Sequence, residues 1–108
     1  MRESFELRQY RTSVGRIPYS DWLEKLEDKT AARISAYVDR MRFGNFGSSE
    51  PVGGGVSELK IDVGPGFRVY YFKEGRIVIV ILCGGDKSTQ AADIRKARKY
   101  TLDYRSRL

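Results

Sequence analysis

Apolar positions in the N-terminal part of this 108-residue chain recur first with a period of two and then with helical spacing. The alternation from Phe5 to Tyr10 predicts a short first strand. Pro18 suits the first turn of one helix, and Gly44 ends a second helix. The apolar side of the first helix holds Trp22, Leu23 and Leu26, and that of the second holds Ile34, Tyr37, Val38 and Met41. We therefore expect a strand followed by two helices.

The C-terminal part of the chain carries strand patterns bounded by glycine. Residues 44–55 include five glycines and a proline, which predicts a surface loop. Beyond this loop, three strands of an antiparallel meander are predicted over residues 56–63, 67–72 and 77–83. The last of them is apolar throughout, which indicates that it is buried on both faces.

A final helix, which Ser88 or Thr89 can cap, completes the predicted order β-α-α-β-β-β-α. Its packing stripe consists of Ile94, Ala97, Thr101, Tyr104 and Leu108. The expected fold class is α+β, with an antiparallel sheet, two N-terminal helices and a basic C-terminal helix. The length favours one domain over residues 1–108, because such a chain can bury a single modest core.

Composition excludes several kinds of chemistry. The chain has no histidine, so Ser-His-Asp catalysis, Cys-His catalysis and zinc sites of the Cys/His type are excluded. Its one cysteine cannot form an internal disulfide, which fits a reducing cytoplasm. The longest apolar run is far shorter than the roughly 20 residues that cross a bilayer, and the N-terminus shows no secretory pattern. We expect a cytoplasmic protein without membrane contact, metal ion or cofactor.

Positive charge is concentrated at the C-terminal end. The chain has 20 lysines and arginines against 14 acidic residues, a net charge of +6, and residues 87–108 carry seven basic and two acidic residues. A basic helix that also bears aromatic residues is a candidate phosphate-binding face. Its candidate RNA-binding residues are Arg95, Lys96 and Lys99. The same charges can equally serve only to keep an exposed helix solvated.

Three cations of the predicted sheet form a second candidate site. Lys60 lies with Glu58 on the outward face of one strand, Arg68 begins the next strand, and Lys87 follows the last. In a meander these cations can converge on one concave surface that binds a polyanion. The alternative is that Lys60 and Lys87 pair with neighbouring carboxylates, as exposed ions often do. Tyr70, on the face of Arg68, is a candidate for stacking on a base.

Three ordered motifs carry a resemblance to a known family. They are Glu58-Leu59-Lys60-Ile61-Asp62, Gly64-Pro65-Gly66-Phe67-Arg68-Val69-Tyr70 and Leu82-Cys83-Gly84-Gly85-Asp86-Lys87-Ser88, followed by Gln90 and Asp93-Ile94. Upstream, the likeness includes Trp22-Leu23, Arg40, Gly44-Asn45-Phe46-Gly47 and the segment 51–56. With this set, which spans about Tyr19 to Tyr100, the chain resembles the addiction-module killer proteins. These are the phage-derived HigB-like branch of the RelE/ParE toxin superfamily, whose compact α+β fold matches the predicted order of elements.

The resemblance implies the toxin of a type II toxin–antitoxin system, an mRNA interferase that cleaves codons in the ribosomal A site. Such toxins form heteromeric complexes with a helix-turn-helix antitoxin, and their substrate is mRNA on the ribosome. In the superfamily's nucleases a basic residue follows the turn before the third strand, which Arg68 matches. A second follows the last strand, which Lys87 matches. Lysines of the second strand also contribute, and Lys60 lies at or within one position of them, so the implied catalytic set is Arg68, Lys87 and Lys60.

Two other functions stay open at this point. Where the nucleases often have a tyrosine or histidine near the start of the last helix, this chain has Ala91, Ala92 and Asp93. The ParE-like branch shares the fold and poisons DNA gyrase without cutting a nucleic acid. The third interpretation is a phage-derived nucleic-acid-binding module that is inert when expressed.

Overall fold

Five strands and three helices make up the computed structural model, which describes residues 4–108. The strands are β1 (Glu6–Gln9), β2 (Ser48–Gly53), β3 (Val56–Ile61), β4 (Phe67–Glu74) and β5 (Val78–Asp86). The helices are α1 (Pro18–Glu24), α2 (Asp28–Asp39) and α3 (Gln90–Ser106). Within residues 4–108, no helix combines the length and the apolar character needed to cross a membrane. The first three residues of the expected domain, 1–108, lie outside the described part of the chain.

The strands form one sheet in the order β1-β5-β4-β3-β2. The strands from β2 to β5 are antiparallel neighbours, whereas β1 runs parallel to β5, with Leu7 opposite Ile79. The predicted mixture of α and β elements is confirmed, but the prediction of a purely antiparallel sheet is wrong. A parallel pair needs a long crossover between its strands, and here α1, α2 and the meander provide it.

One strand is absent from the sequence prediction. Within residues 44–55, expected to be a surface loop, Ser48–Gly53 forms β2 at the edge of the sheet, antiparallel to β3. An edge strand tolerates Pro51, because only one side of it needs backbone hydrogen bonds. The consecutive glycines 53–55 all have positive φ, between 65 and 93°, and form the turn into β3. The glycines correctly indicate a turn, whereas Pro51 lies in a strand although proline is typical of a loop.

The sheet buries apolar side chains on both faces. On one face, α1 and α2 cover the sheet, and Ile34 and Val38 of the predicted α2 stripe are buried there. On the other face, Ala97 of α3 belongs to a buried cluster that also contains Phe72 and Val80 of the sheet. The prediction that the last strand is buried on both faces is confirmed, since β5 lies between β1 and β4 with a helix on either side.

The start of α3 differs from the prediction. A 3₁₀ turn precedes the helix, and Asp86 caps that turn by accepting a hydrogen bond from the backbone of Ser88 at 2.8 Å. Thr89 occupies the N-cap position of α3, as predicted, but its hydroxyl makes no capping hydrogen bond to the helix backbone and donates to the Asp93 side chain instead. At the other end, the predicted packing stripe stops before Leu108, which is 77% exposed.

Candidate functional site

The ends of neighbouring strands bring Lys60 and Arg68 together. Lys60 of β3 is directly opposite Arg68 of β4, and Arg68 is in turn opposite Gly85 of β5. Residues directly opposite one another in antiparallel strands point to the same side of the sheet. Ser48 of β2 is opposite Lys60, so the row extends from β2 to β5. It lies on the face that α3 covers in part, because Tyr70, two positions from Arg68, packs in the core beneath α3.

Beside this row is an open cavity of about 370 Å³. Its lining residues are Ser48, Lys60, Asp62 and Arg68. The Lys60 ammonium forms an ion pair with Glu50 of β2 rather than with a carboxylate of its own strand, and the Lys60 side chain stays 38% exposed. The hydrogen bond and the charge of Lys60 hold the pKa of the Glu50 carboxyl below its usual value. The cavity therefore presents two cations, Lys60 and Arg68, each of which is opposed by a carboxylate of a neighbouring strand.

Lys87 lies at the same end of the strands as Lys60 and Arg68. It follows β5 directly, and its backbone N–H donates a hydrogen bond at 3.0 Å to the carbonyl of Gly66, in the turn that leads into Arg68. Its side chain is exposed, and it forms no ion pair with any residue in the range 4–108. The preceding Asp86 carboxylate accepts hydrogen bonds from Ser88. The alternative that Lys87 pairs with Asp86 is therefore not what the structure shows.

Arg68 is largely buried, with 13% of its side chain exposed. Its Nε lies 3.5 Å from Oε1 of Glu58, a carboxylate that is itself 1% exposed. The expectation that Glu58 faces solvent is wrong, because the first residue of α3, Gln90, covers it and donates a hydrogen bond to its Oε2 at 2.7 Å. The alternation along β3 gives the correct face for Glu58. It cannot show that a helix from another part of the chain closes over that face.

Tyr70 cannot stack on a base in this structure. Its side chain is 0% exposed, in the core between the sheet and α3. The hydroxyl donates a hydrogen bond to Oε2 of Glu58 at 3.3 Å. Burial, reinforced by the charge of Glu58, raises the pKa of Tyr70, so the hydroxyl keeps its proton at neutral pH. The interpretation of Tyr70 as an RNA-binding residue is corrected for this reason, and Glu58 is the nearby residue that the sequence analysis missed.

All three candidate cations on α3 are exposed, namely Arg95, Lys96 and Lys99. Lys96 lines a different cavity, of about 380 Å³, between α1 and α3, together with Trp22 and Tyr100. On the opposite side of α3, Nη2 of Arg98 donates a hydrogen bond to the carbonyl of Val52 beside the β2–β3 turn. The positive charge of α3 is thus divided between solvent-facing cations and an arginine that makes a structural contact.

The row of cations can bind an anion with several oxygens. The planar guanidinium of Arg68 can donate two parallel hydrogen bonds to a phosphate, and a lysine beside it adds a point charge. In residues 4–108, no group of three or more His, Cys, Asp or Glu side chains is arranged to hold a metal ion. The strand ends gather three cations, of which Lys60 and Arg68 are paired with carboxylates.

Comparison with known proteins places the chain in a family. The family model described as Phage derived protein Gp49-like (DUF891) matches residues 21–101. The chain belongs to the Gp49-like family. It is also 45% identical over 83 residues to an uncharacterized protein of Haemophilus influenzae, an alignment that covers 76% of this chain and 84% of the relative.

The segment that matches the Gp49-like model contains the whole candidate site. It begins inside α1 and ends inside α3, so it includes Lys60, Arg68 and Lys87 as well as the buried pair of Glu58 and Gln90. The Gp49-like family is associated with addiction-module toxins. The family's association with toxins therefore concerns the part of the chain that contains Lys60, Arg68 and Lys87.

Proposed function

We propose that this Gp49-like protein is the toxin of a type II toxin–antitoxin system, related to the HigB-like branch of the RelE/ParE superfamily, and that it cleaves mRNA on the ribosome. The family's association with addiction-module toxins supports the first part. The observation that carries the second part is the placement of Lys60 opposite Arg68, with both side chains lining one cavity. Two adjacent cations from different strands can bind a single phosphodiester group.

RNA provides the nucleophile for its own cleavage, the 2′-hydroxyl next to the scissile phosphate. The 2′-oxygen forms a bond to phosphorus and gives up its proton to a water molecule, while the bond from phosphorus to the 5′-oxygen breaks and that oxygen takes a proton from an acid of the site. The products are a 2′,3′-cyclic phosphate and a 5′-hydroxyl. The protein therefore has to align these atoms and neutralise the charge that builds on the phosphoryl oxygens, and it needs neither a metal nor a cofactor for this.

Arg68 is assigned to the phosphoryl oxygens, because its guanidinium is permanently charged and can bind two of them at once. A single donor of this kind contributes about 2.7–4 kcal/mol to the transition state in other enzymes. Lys60, which forms an ion pair with Glu50 and lines the same cavity as Arg68, is assigned to phosphate binding. Lys87, exposed and beside the turn into Arg68, is assigned to protonation of the leaving 5′-oxygen.

The lysines and the arginine of the site are inefficient bases, since these residue types titrate far above neutral pH in water. We infer that the ribosome supplies what the site lacks by holding mRNA in a geometry in which the 2′-oxygen is in line with the leaving oxygen. Free RNA is then a poor substrate. In this proposal Arg95, Lys96 and Lys99 contact the RNA backbone, and a helix-turn-helix antitoxin restrains the toxin in a heteromeric complex.

Mapping of transcript ends after induction of the protein tests the proposal. We expect growth arrest and new ends inside translated codons, and we expect these ends to vanish from a transcript whose start codon has been removed. Arg68→Lys, which keeps a cation beside Glu58 but loses the planar fork, should reduce the cuts at least tenfold. Arg33→Lys, the same substitution at an exposed position on α2, is the matched control and should cut like the wild type.

Three outcomes contradict the proposal in different ways. Growth arrest with intact transcripts and altered DNA supercoiling indicates a ParE-like poison of gyrase. Salt-sensitive RNA binding without toxicity indicates an inert binding module. Unchanged cutting by Arg68→Lys shows that the nuclease site lies elsewhere.

A further inference from the structure

Glu58 is the most deeply buried carboxylate among residues 4–108, with 1% of its surface exposed. Three donors from two other elements surround it. The Nε of Arg68 lies 3.5 Å from Oε1, while the Tyr70 hydroxyl and the Gln90 amide donate to Oε2 at 3.3 and 2.7 Å. Burial of a carboxylate is unfavourable unless a cation and hydrogen-bond donors compensate for the lost water. Here β4 and α3 together provide that compensation.

These contacts leave the guanidinium of Arg68 with one side occupied and one side available. Nε faces Glu58, and Nη1 donates a long hydrogen bond of 3.4 Å to the carbonyl of Phe67. The small exposed part of the side chain lines the cavity that it shares with Lys60. Since Nε has no hydrogen-bond partner in the described part of the chain, the 3.5 Å contact holds the group through charge.

We propose that Glu58 is a positioning residue that fixes the guanidinium of Arg68 toward the cavity, and that Gln90 fixes Glu58 in turn. The role of Arg68 in phosphate binding, on which this inference rests, is that of the proposed function. Glu58 does not contact the substrate, because a carboxylate that is 1% exposed lies behind Arg68. An arginine that is fixed before the ligand arrives loses less conformational freedom on binding, which strengthens binding and alignment.

NMR relaxation of the Arg68 Nε–Hε group in the full chain tests this positioning without any reaction. We expect a rigid Nε–Hε vector in the wild type and a mobile one in Glu58→Gln, which keeps the shape of the side chain but removes its charge. Glu50→Gln is the matched control, because Glu50 lies directly opposite Glu58 but is exposed and pairs with Lys60. That variant should leave the Arg68 vector rigid.

Equal mobility of Arg68 in the wild type and in Glu58→Gln would overturn the proposal. If thermal melting shows that Glu58→Gln does not fold, Gln90→Ala gives the same test, because it removes only the donor behind the carboxylate. An increase in Arg68 mobility in Gln90→Ala supports the proposal, and an unchanged vector contradicts it.

The effect of this positioning of Arg68 on catalysis is measured as the rate of cleavage on translating ribosomes. Glu58→Gln should lower the rate about tenfold to a hundredfold, as expected for a misplaced catalytic group, and kcat should change more than KM. In an Arg68→Lys background the same change should have little further effect, because the group that Glu58 positions is gone. If the losses of cleavage rate caused by the two substitutions multiply in the double variant, Glu58 does not act through Arg68 and the positioning role is overturned. A wild-type protein that cuts no RNA contradicts the proposed function instead, and the relaxation experiment still decides the role of Glu58.

Discussion

A β carbon placed on Gly85 would lie 1.8 Å from Oδ2 of Asp93. The carboxylate of Asp93, which accepts a hydrogen bond from Thr89, occupies the space that a side chain at Gly85 would need. On the other face of β5, a β carbon on Gly84 would lie 2.3 Å from the ring of Trp22. The two glycines therefore let a helix approach each face of β5 at the end where the candidate site lies.

Gly85→Ala should destabilise the fold, since the helix or the strand must move to admit the methyl group. We expect the free energy of unfolding to fall by about 1–3 kcal/mol, the usual cost of overpacking, and urea denaturation measures the change. Asp93→Ala removes the group that the methyl meets, so the two changes together should cost less than the sum of the single changes. Strictly additive costs would show that this contact is not the cause.

Arg68→Ala should damage the fold as well as the proposed activity. It leaves the Glu58 carboxylate buried without its cation, and removal of one partner of a buried ion pair costs about 3–5 kcal/mol. Adding Glu58→Gln to this variant should restore part of the loss, because an amide needs no counter-charge. Chemical denaturation of the single and double variants makes the comparison. A double variant no more stable than Arg68→Ala alone would contradict the assignment of this ion pair.

Arg98 and Lys99 are neighbours on α3 with different contacts. Arg98→Ala removes the hydrogen bond to the Val52 carbonyl, so we expect the free energy of unfolding to fall by about 0.5–1.5 kcal/mol. Lys99→Ala changes an exposed position, and its effect on stability should stay within about 0.5 kcal/mol. If Lys99 contacts RNA, its loss should reduce the slope of log affinity against log salt by about 0.7 for a single strand. These roles would be refuted if Lys99→Ala destabilised the fold and Arg98→Ala reduced the salt slope instead.

The buried thiol of Cys83 should make the fold sensitive to alkaline pH. Burial, with a smaller contribution from Asp93, raises the pKa of the Cys83 thiol to about 12 from its ordinary value of 9.0. Above pH 9.0 the unfolded chain therefore binds fewer protons than the folded chain, and stability falls as the pH rises toward 12. One such proton contributes a slope of at most about 1.4 kcal/mol per pH unit.

Cys83→Ala should remove that part of the slope. Urea denaturation under reducing conditions, at neutral pH and at several values above 9.0, measures the slope in both proteins. Tyr10, whose pKa burial also raises to about 12, is present in both, so a difference between the slopes belongs to Cys83. Identical slopes would mean that the thiol titrates in the folded state as it does in the unfolded state.

Features that depend on neighbouring residues are predicted from the sequence, whereas contacts between residues far apart in the sequence are not. The shared face of Arg68 and Tyr70 in β4 follows from a period of two, and it is present in the structure. The burial of Tyr70 and of Glu58 depends on where α3 lies, and no local pattern contains that information. The same limit explains β2, whose pairing with β3 outweighs the loop character of its composition.

The parallel pairing of β1 with β5 sets the order in which the protein can be completed during its synthesis. β1 is made before β5 and stays without its partner until Val78–Asp86 has been made. Gln90, which closes over Glu58, follows later still. Contacts between such distant parts of a chain form late in folding. A nascent chain therefore has neither a finished sheet nor a buried Glu58 until Gln90 has been made, and only then can the arrangement of Glu58 behind Arg68 be complete.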